Sequence, residues 1–146
     1  MGLTLLPQKS WEQHYDLTLA LHREGAIAAN LIGDWQTMTQ WGTVAIERAN
    51  TLLDRVPFYE TQIQACVAQK QLSEAIQLGI STLKLLGESF PSNPTSEDLA
   101  LGIQEITAHL SKHSIESLID LPSMLDPHGI TILRILFRLS LSLIHI

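Results

Sequence analysis

AIAANLIGDW, residues 26–35, carries alanines at helical spacing and ends in Gly33-Asp34 followed by an apolar residue. A glycine in this position typically ends a helix, and an aspartate typically caps the next one. Residues 63–76, IQACVAQKQLSEAI, repeat the arrangement 37 residues later (70 − 33 = 37), with Lys70 in the place of Gly33. The chain therefore predicts two helix pairs that follow one plan.

This pattern indicates an all-α protein, a TPR-like antiparallel helix-pair array that forms a fragment of an α-solenoid. Tetratricopeptide-type repeats have a period of about 34 residues, and their small residues let two helices lie close together. The longer offset predicts one additional turn in the second helix of the first pair. Such repeats position partners and rarely catalyse reactions, so we expect no enzyme activity in this segment.

The composition divides the chain at a loop with the sequence GESFPSNP, whose glycine and two prolines interrupt helices. We expect five segments: a lead-in over 1–9, two TPR-like helix pairs over 10–86, the loop over 87–94, further helices of the array over 95–136, and a separate tail over 137–146. Thr95 is expected to cap the helix that follows the loop. No strand-like run is present.

Periodicity and capping residues set the predicted helix boundaries. The predicted helices cover 10–32, 35–54, 58–69, 72–86, 95–111 and 130–146, with a short helical turn over 114–121. Ser10 and Gln13 fit a capping box, in which each side chain bonds a backbone N–H of the same helix start. Pro57 is expected in the first turn of the third helix, and Asp126-Pro127 is expected to begin the last.

Composition and charge exclude several classes of function. Apolar residues make up 45% of the 146 residues, which is enough for a packed core. The net charge of −6 disfavours nucleic-acid binding, because phosphates require a basic surface. Cys66 is the only cysteine, so no internal disulfide forms, and we expect an inert thiol in a cytoplasmic protein. Met1–Pro7 lacks the basic start and cleavage site of a signal peptide.

The sequence provides no catalytic, cofactor-binding or metal-binding residues. The eight glycines are scattered, whereas a phosphate-binding loop needs them clustered. His109 and His113 stand four residues apart on a predicted helix, but no further zinc ligand accompanies them. We therefore expect two solvated histidines near a helix end, and no cofactor in this segment.

The positions of several carboxylates and of two tryptophans also indicate structural roles. The acidic residues near predicted helix starts are Glu12, Asp16, Glu97 and Asp98. Negative charge there complements the helix dipole, so the pattern does not require general acid–base chemistry. Trp35 and Trp41 could line a ligand groove, but apolar residues at helical spacing favour packing in the core.

The apolar segment from Gly129 to Ile146 is close to bilayer length. Arg134 and Arg138 lie in its middle, where charge is costly in a membrane, so we expect no span. An interfacial amphipathic helix is one alternative. We favour a solenoid helix whose next partner is missing, because solenoids need a polar cap that this end lacks. Such an end predicts self-association through the apolar C-terminus.

Several short motifs in order resemble the helical segment of cyanobacterial-type multi-sensor signal transduction kinases. The motifs are WxxHYDLTLALH (11–22), AAxxxGD (28–34), IQA (63–65), QLxEAI (71–76), LxLLGxxFPxxP (83–94), IExLIDLPxMxDP (115–127) and RIL (134–136). The resemblance covers about residues 6–136, and the sequence departs from it after Leu136. In that family a serine/threonine-kinase-like domain and an AAA-type ATPase module precede the segment, and a GAF sensor and a histidine kinase follow.

The resemblance implies that this chain is an internal piece of a two-component signalling protein. Its function would be that of a non-catalytic scaffold or linker, which couples the ATPase module to the sensor and histidine kinase modules. The family's catalytic motifs lie outside the matched region, so ATP is expected only in flanking domains. The alternative is a stand-alone TPR-like adapter that binds a protein or peptide. Both interpretations predict protein partners, no nucleic acid and no membrane.

Overall fold

The computed structural model describes Pro7 and residues 9–91, 94–112, 114, 116–120 and 122–144. Regular secondary structure in these residues is entirely helical, which confirms the all-α class. The helices are α1 (Ser10–Gln13), α2 (Tyr15–Leu31), α3 (Trp35–Arg48), α4 (Leu52–Ala68), α5 (Leu72–Leu85), α6 (Ser96–Leu110) and α7 (Pro127–Ile144). A 3₁₀ turn at Glu116–Asp120 matches the predicted short turn, of which residues 115 and 121 lie outside the described ranges. Most of the predicted lead-in, like residues 145–146, also lies outside them.

The first four long helices form two pairs of equal dimensions. α2 and α4 contain 17 residues each, and α3 and α5 contain 14 each. The connections at 32–34, 49–51 and 69–71 are equally short. The prediction of a longer second helix in the first pair is therefore wrong, because α3 has the same length as α5.

The turn between α2 and α3 follows the predicted chemistry. Gly33 has φ +75°, and the N–H of Asp34 donates to the carbonyl of Ala29 at 2.9 Å, which closes the end of α2. The Asp34 carboxylate accepts from the N–H of Thr37 at 3.1 Å. Both the glycine end and the aspartate cap are confirmed.

The equivalent turn between α4 and α5 uses a less suitable residue. Lys70 has φ +61°, and the next N–H, that of Gln71, donates to the carbonyl of Cys66 at 2.8 Å. The backbone geometry is thus the same as at Gly33. A side chain with a Cβ in this left-handed conformation costs free energy that glycine avoids.

The boundary between α3 and α4 differs from the prediction. α3 ends at Arg48, and α4 begins at Leu52, because Thr51 and Asp54 form a complete capping box. Pro57 lies in the second turn of α4 and does not begin a helix, so that prediction is wrong. The capping box outweighs the local signal of the proline, since a proline this near a helix start removes a single backbone hydrogen bond.

The predicted capping box at the N-terminus is also wrong. Ser10 is the first residue of α1, and Lys9 occupies the cap position without a side-chain hydrogen bond. The Ser10 carbonyl instead accepts from the Thr18 hydroxyl at 3.1 Å. His14 separates α1 from α2, so the predicted single helix over 10–32 is divided at that residue.

The starts of α6 and α7 confirm two further predictions. Thr95 and Asp98 form a capping box at α6. The Asp126 carboxylate accepts from the two backbone N–H groups that follow Pro127, at 3.2 and 2.8 Å. α7 begins at Pro127, as the Asp126-Pro127 signal predicts and three residues before the helical pattern over 130–146. It continues to residue 144, so the expected division between 136 and 137 falls inside one helix.

The packing order follows the helix pairs. α2 packs on α3, α4 packs on both α2 and α3, and α5 packs on α4. α7 in turn packs on both α4 and α5. α7 thus has the same relation to the second pair that α4 has to the first.

Among the described residues, two clusters of buried side chains form the core. The first, between α2, α3 and α4, contains Ala26, Ala29, Met38, Ala45, Phe58 and Ala65. The second, between α4, α5 and α7, contains Val56, Ile63, Ala75, Leu83, Leu86, Ile135 and Leu139. The alanines in the first cluster allow close helix approach, whereas larger aliphatic side chains fill the second.

Gly79 makes the closest approach between α5 and α7 possible. A Cβ built on Gly79 would lie 2.6 Å from the Leu139 methyl groups, which are held in the second core cluster. Gly42 occupies the equivalent position in α3, where the nearest atom to such a Cβ is the Gln62 side-chain nitrogen at 3.8 Å. Leu139 therefore belongs to the fold, although the sequence suggested a separate tail.

A polar contact fixes α2 against the connection between α3 and α4. The Tyr15 hydroxyl donates to the Asp54 carboxylate at 2.9 Å and accepts from the N–H of Asn50 at 2.8 Å. Burial, together with the neighbouring carboxylate, raises the pKa of Tyr15, which keeps its hydroxyl protonated. The same Asp54 serves the capping box of α4, so one carboxylate joins a helix start to its neighbour.

Candidate functional site

α6 differs from the other long helices because none of its residues is buried. Its large apolar side chains are more than half exposed: Leu99, Leu101, Ile103, Ile106 and Leu110. The helix forms because its capping box satisfies backbone groups at its start and its interior residues tolerate helical geometry. Local interactions therefore form α6, and no other helix covers its apolar side chains.

One side of α6 faces α5 and α7 across an open cleft of about 700 Å³, which we call the α6 cleft. Its apolar lining consists of Ile76, Ile80 and Leu83 from α5, Leu136 and Leu139 from α7, Leu99, Ile103 and Ile106 from α6, and Phe90, Pro91 and Pro94 from the loop. Asp98 and Ser140 are the polar side chains of this lining. The arrangement suits an apolar segment of a partner, because burying such a surface is favourable.

A second concave surface continues from the cleft along α5. It has a volume of about 650 Å³ and shares Ile76, Ile80 and Phe90 with the α6 cleft. Its remaining side chains are mainly polar: Ser73, Gln77, Ser81, Lys84 and Ser89. The two surfaces together give an apolar centre with a polar border, which is the usual composition of a protein interface.

Asp98 stands at the edge of the α6 cleft but is occupied by the helix cap. Its carboxylate accepts from the Thr95 N–H at 2.8 Å and from the Thr95 hydroxyl at 2.7 Å. These hydrogen bonds lower the pKa of Asp98, so the carboxyl is ionised at neutral pH. An ionised, hydrogen-bonded carboxylate of this kind stabilises the helix start and is a poor general acid.

The sequence-derived candidates for chemistry do not meet in the α6 cleft. His109 lies in the last turn of α6, and His113 lies outside the described residues. Within the described ranges, no group of three or more His, Cys, Asp or Glu side chains could hold a metal ion. Cys66 is half-buried beside the second core cluster, and burial with the charge of Glu74 raises the pKa of its thiol. A raised pKa lowers the fraction of reactive thiolate.

The tryptophans and the first acidic pair also lie away from the cleft. Trp35 is half-buried and packs against the first core cluster, in line with its predicted packing role, whereas Trp41 is half-buried and belongs to neither cluster. Glu12 and Asp16 are exposed on the first two helices. None of these four side chains lines the α6 cleft.

The sequence contained one signal for the cleft that the prediction did not use. Leu99, Ile103, Ile106 and Leu110 recur at three- and four-residue spacing, which marks an apolar helix face. The prediction assigned this helix to the packed array. Whether such a face is covered depends on distant residues, and spacing alone carries no information about them.

α7 exposes a further apolar face on its outer side. Ile130, Leu133 and Phe137 are 41%, 55% and 63% exposed. This surface is consistent with the predicted self-association, which stays a prediction. Among the described helices, α7 included, none is long and apolar enough to cross a membrane.

Comparison with protein-family models, curated proteins and solved structures gave no match for this chain. The resemblance to the signalling kinases therefore rests on the motifs of the sequence alone. Within its described residues, the structure is all-α and has an uncovered apolar cleft.

Proposed function

We propose that this chain is a non-catalytic helical-repeat scaffold that links modules of a large signal-transduction kinase. The α6 cleft would hold an apolar segment of a flanking domain. The observation that carries the proposal is the cleft itself, because about 700 Å³ of space with a mainly apolar lining is open between α6 and the packed helices α5 and α7. Exposed apolar surfaces of this kind typically mark protein interaction sites.

A TPR-like array is the finer fold assignment in this proposal. Equal helix lengths in the two pairs support it, as does the repeated relation of α4 and α7 to the pairs before them. In repeat proteins each unit contacts mainly its neighbours, and the stack presents extended binding surfaces. α6 would then be an insertion between the second pair and the first helix of a third unit.

The mechanism follows from a stack held at its two ends by different modules. Movement of an ATPase module at one end would be transmitted through packed helices to sensor and histidine kinase modules at the other. The scaffold itself needs no cofactor, and ATP would be bound in the flanking modules. This arrangement would operate in the cytoplasm, where such modules find ATP.

A stand-alone adapter is the second candidate, and the same cleft favours it. In this case a separate protein would supply the apolar segment, and the polar border along α5 would fix its orientation. The two candidates differ in whether the partner belongs to the same polypeptide.

The size of the native polypeptide distinguishes them. An antibody against residues 10–86 would be used to probe a lysate of the source cells on a denaturing gel. The linker proposal expects a band far above the 16.2 kDa of this chain. A band at 16.2 kDa would contradict the linker and favour the adapter.

A matched pair of substitutions tests the role of the cleft. Ile103→Asp places a charge in the cleft, whereas Leu101→Asp places the same charge elsewhere on α6, outside the cleft lining. In the native polypeptide we expect Ile103→Asp to alter regulated autophosphorylation and Leu101→Asp to leave it unchanged. Equal behaviour of the two variants would contradict the assignment of the cleft, and unaltered regulation after deletion of 10–136 would contradict the linker.

A further inference from the structure

The α6 cleft and the polar border along α5 adjoin, because Ile76, Ile80 and Phe90 line both surfaces. The border itself consists of Ser73, Gln77, Ser81, Lys84 and Ser89. A molecule that spans the two surfaces would place one part among apolar side chains and the other among polar ones. This division suits a ligand that is itself half apolar and half polar.

Lys84 provides a positive charge at the edge of the cleft. It follows Ile80 by four residues on α5, and residues with this spacing share a helix face, with Cβ atoms about 5–6 Å apart. The Lys84 side chain is exposed and forms no salt bridge with a carboxylate of the described residues. Its flexible stem lets the ammonium group stay in water while the methylenes lie along apolar surface. The border therefore attracts a negatively charged group.

Asp98 is the one carboxylate in the described lining of the two surfaces, and it does not lie in the border. The N–H and the hydroxyl of Thr95 hold it in the cap of α6 at 2.8 and 2.7 Å. A negative group at Lys84 thus does not have to displace it. The charges of the lining favour an anionic end at the border and an uncharged remainder in the cleft.

The size of the α6 cleft fits a small amphipathic molecule. Its volume of about 700 Å³ lies within the range of about 300–1,000 Å³ that is typical of ligand pockets. Such pockets are mainly apolar, and a few polar groups set the orientation of the ligand. Ile76, Ile80 and Leu83 form an apolar wall about 10 Å long on α5. A linear alkyl chain could lie along this wall.

We propose that the α6 cleft binds a fatty acid, with the alkyl chain between α5, α6 and α7 and the carboxylate beside Lys84. Burial of methylene groups supplies the affinity, and a charge-assisted hydrogen bond from the ammonium group sets the orientation. This inference rests on the proposed function of the cleft as a binding surface. A fatty acid and a partner segment would exclude each other, so the fatty acid would regulate docking.

Isothermal titration of the full chain compares decanoate with decyltrimethylammonium, which carries the same alkyl chain and the opposite charge. We expect saturable binding of decanoate and weaker binding of the cation, although the net charge of −6 attracts cations in general. Equal or tighter binding of the cation would overturn the proposal. The absence of saturable decanoate binding would also overturn it and would leave the cleft to a protein segment.

Lys84→Gln tests the position of the carboxylate. It should weaken decanoate binding about tenfold, as expected for the loss of a charge-assisted hydrogen bond. Lys9→Gln makes the same charge change at the exposed start of α1, outside both surfaces, and should bind as the unchanged protein does. Equal weakening by both variants would mean that net charge alone attracts the anion, and would overturn the site.

The position of the alkyl chain is tested with Ile103→Asp and Leu101→Asp. We expect Ile103→Asp, inside the cleft lining, to abolish decanoate binding and Leu101→Asp, outside it, to leave the binding unchanged. Hexanoate should bind the unchanged protein at least about tenfold more weakly than decanoate, because it buries fewer methylene groups. Circular dichroism of each variant shows whether its helices persist. Equal binding by two folded variants would place the ligand elsewhere and overturn the proposal.

The titrations use this chain, whereas the proposed function is tested by regulated autophosphorylation of the native polypeptide, so the two can fail separately. If Ile103→Asp alters the regulation but the chain binds no decanoate, the fatty-acid site alone is contradicted. If Ile103→Asp abolishes decanoate binding but leaves the regulation unchanged, the scaffold role of the cleft alone is contradicted.

Discussion

α4 and α6 begin with the same capping chemistry and end in opposite environments. Thr51 with Asp54 and Thr95 with Asp98 each form a complete capping box. α4 buries six of its residues, whereas α6 buries none. Identical local signals therefore start a helix in both places without deciding where its apolar face goes.

α4 and α6 differ in the number of helices that pack against them. α4 contacts α2, α3, α5 and α7, so its side chains are enclosed on several sides. α6 faces the open cleft and depends on its cap and on intrinsic helix propensity. Helices without tertiary packing are marginally stable, and elements with few buried contacts are the first to open. α6 is thus the long helix that we expect to open first.

The largest expected effect compares one isoleucine from each environment. Ile135 is fully buried in α7, and Ile103 is 66% exposed in α6. Ile135→Ala should lower the free energy of unfolding by about 2–5 kcal/mol, because it leaves a cavity in the second core cluster. Ile103→Ala should change it by less than about 0.5 kcal/mol. Urea denaturation measures both, and similar losses would show that α6 is packed in solution.

A second pair of substitutions sharpens the comparison within the packed helices. Gly79→Ala should destabilise by about 1–3 kcal/mol, because the added methyl overlaps Leu139 in the core. Gly42→Ala, at the equivalent position, meets ordinary contact distances and should stabilise α3 by about 0.5–1 kcal/mol. The two changes in melting temperature should therefore have opposite signs. Stabilisation by both would mean that α7 does not approach α5 closely.

Substitutions in the two equivalent turns, at Lys70 and Gly33, should change the free energy of unfolding by a smaller amount. Lys70→Gly should raise the free energy of unfolding by about 0.5–1 kcal/mol, because glycine adopts the left-handed conformation without steric cost. Gly33→Ala should lower it by a similar amount, for the converse reason. Thermal unfolding of the single variants measures both changes. A destabilised Lys70→Gly protein would indicate that the lysine side chain contributes contacts that outweigh its backbone strain.

The smallest effect is a local dependence on pH at α6. The folded-state pKa of Asp98 lies below its ordinary value of 3.8 because Thr95 hydrogen-bonds the carboxylate. The Asp98 cap therefore stabilises α6 fully at pH values above 3.8. This stabilisation is lost as the pH falls through the lowered pKa of Asp98. Backbone chemical shifts of α6 should report fraying in this acid range, and Asp98→Asn should remove the transition. A transition that persists in Asp98→Asn would have to come from another carboxylate.

Part of the α6 cleft could be predicted and part could not. The apolar spacing from Leu99 to Leu110 and the Thr95 cap were both present in the sequence. The convergence of Arg23, Glu60 and Arg134 where α2, α4 and α7 meet was not foreseeable in this way, because Arg23 and Arg134 are more than a hundred residues apart. Spacing along one helix predicts a face, whereas convergence of three helices depends on their packing.

By itself the sequence determined that the chain is helical, where its glycine and aspartate turns fall, and that two pairs share a 37-residue offset. These features depend on neighbouring residues, because a cap or a left-handed glycine acts within one turn of the backbone. Tertiary structure decided that Leu139 packs on Gly79 and that α6 stays uncovered. Those outcomes depend on contacts between distant segments, whose free energies compete with local preferences and here outweigh them.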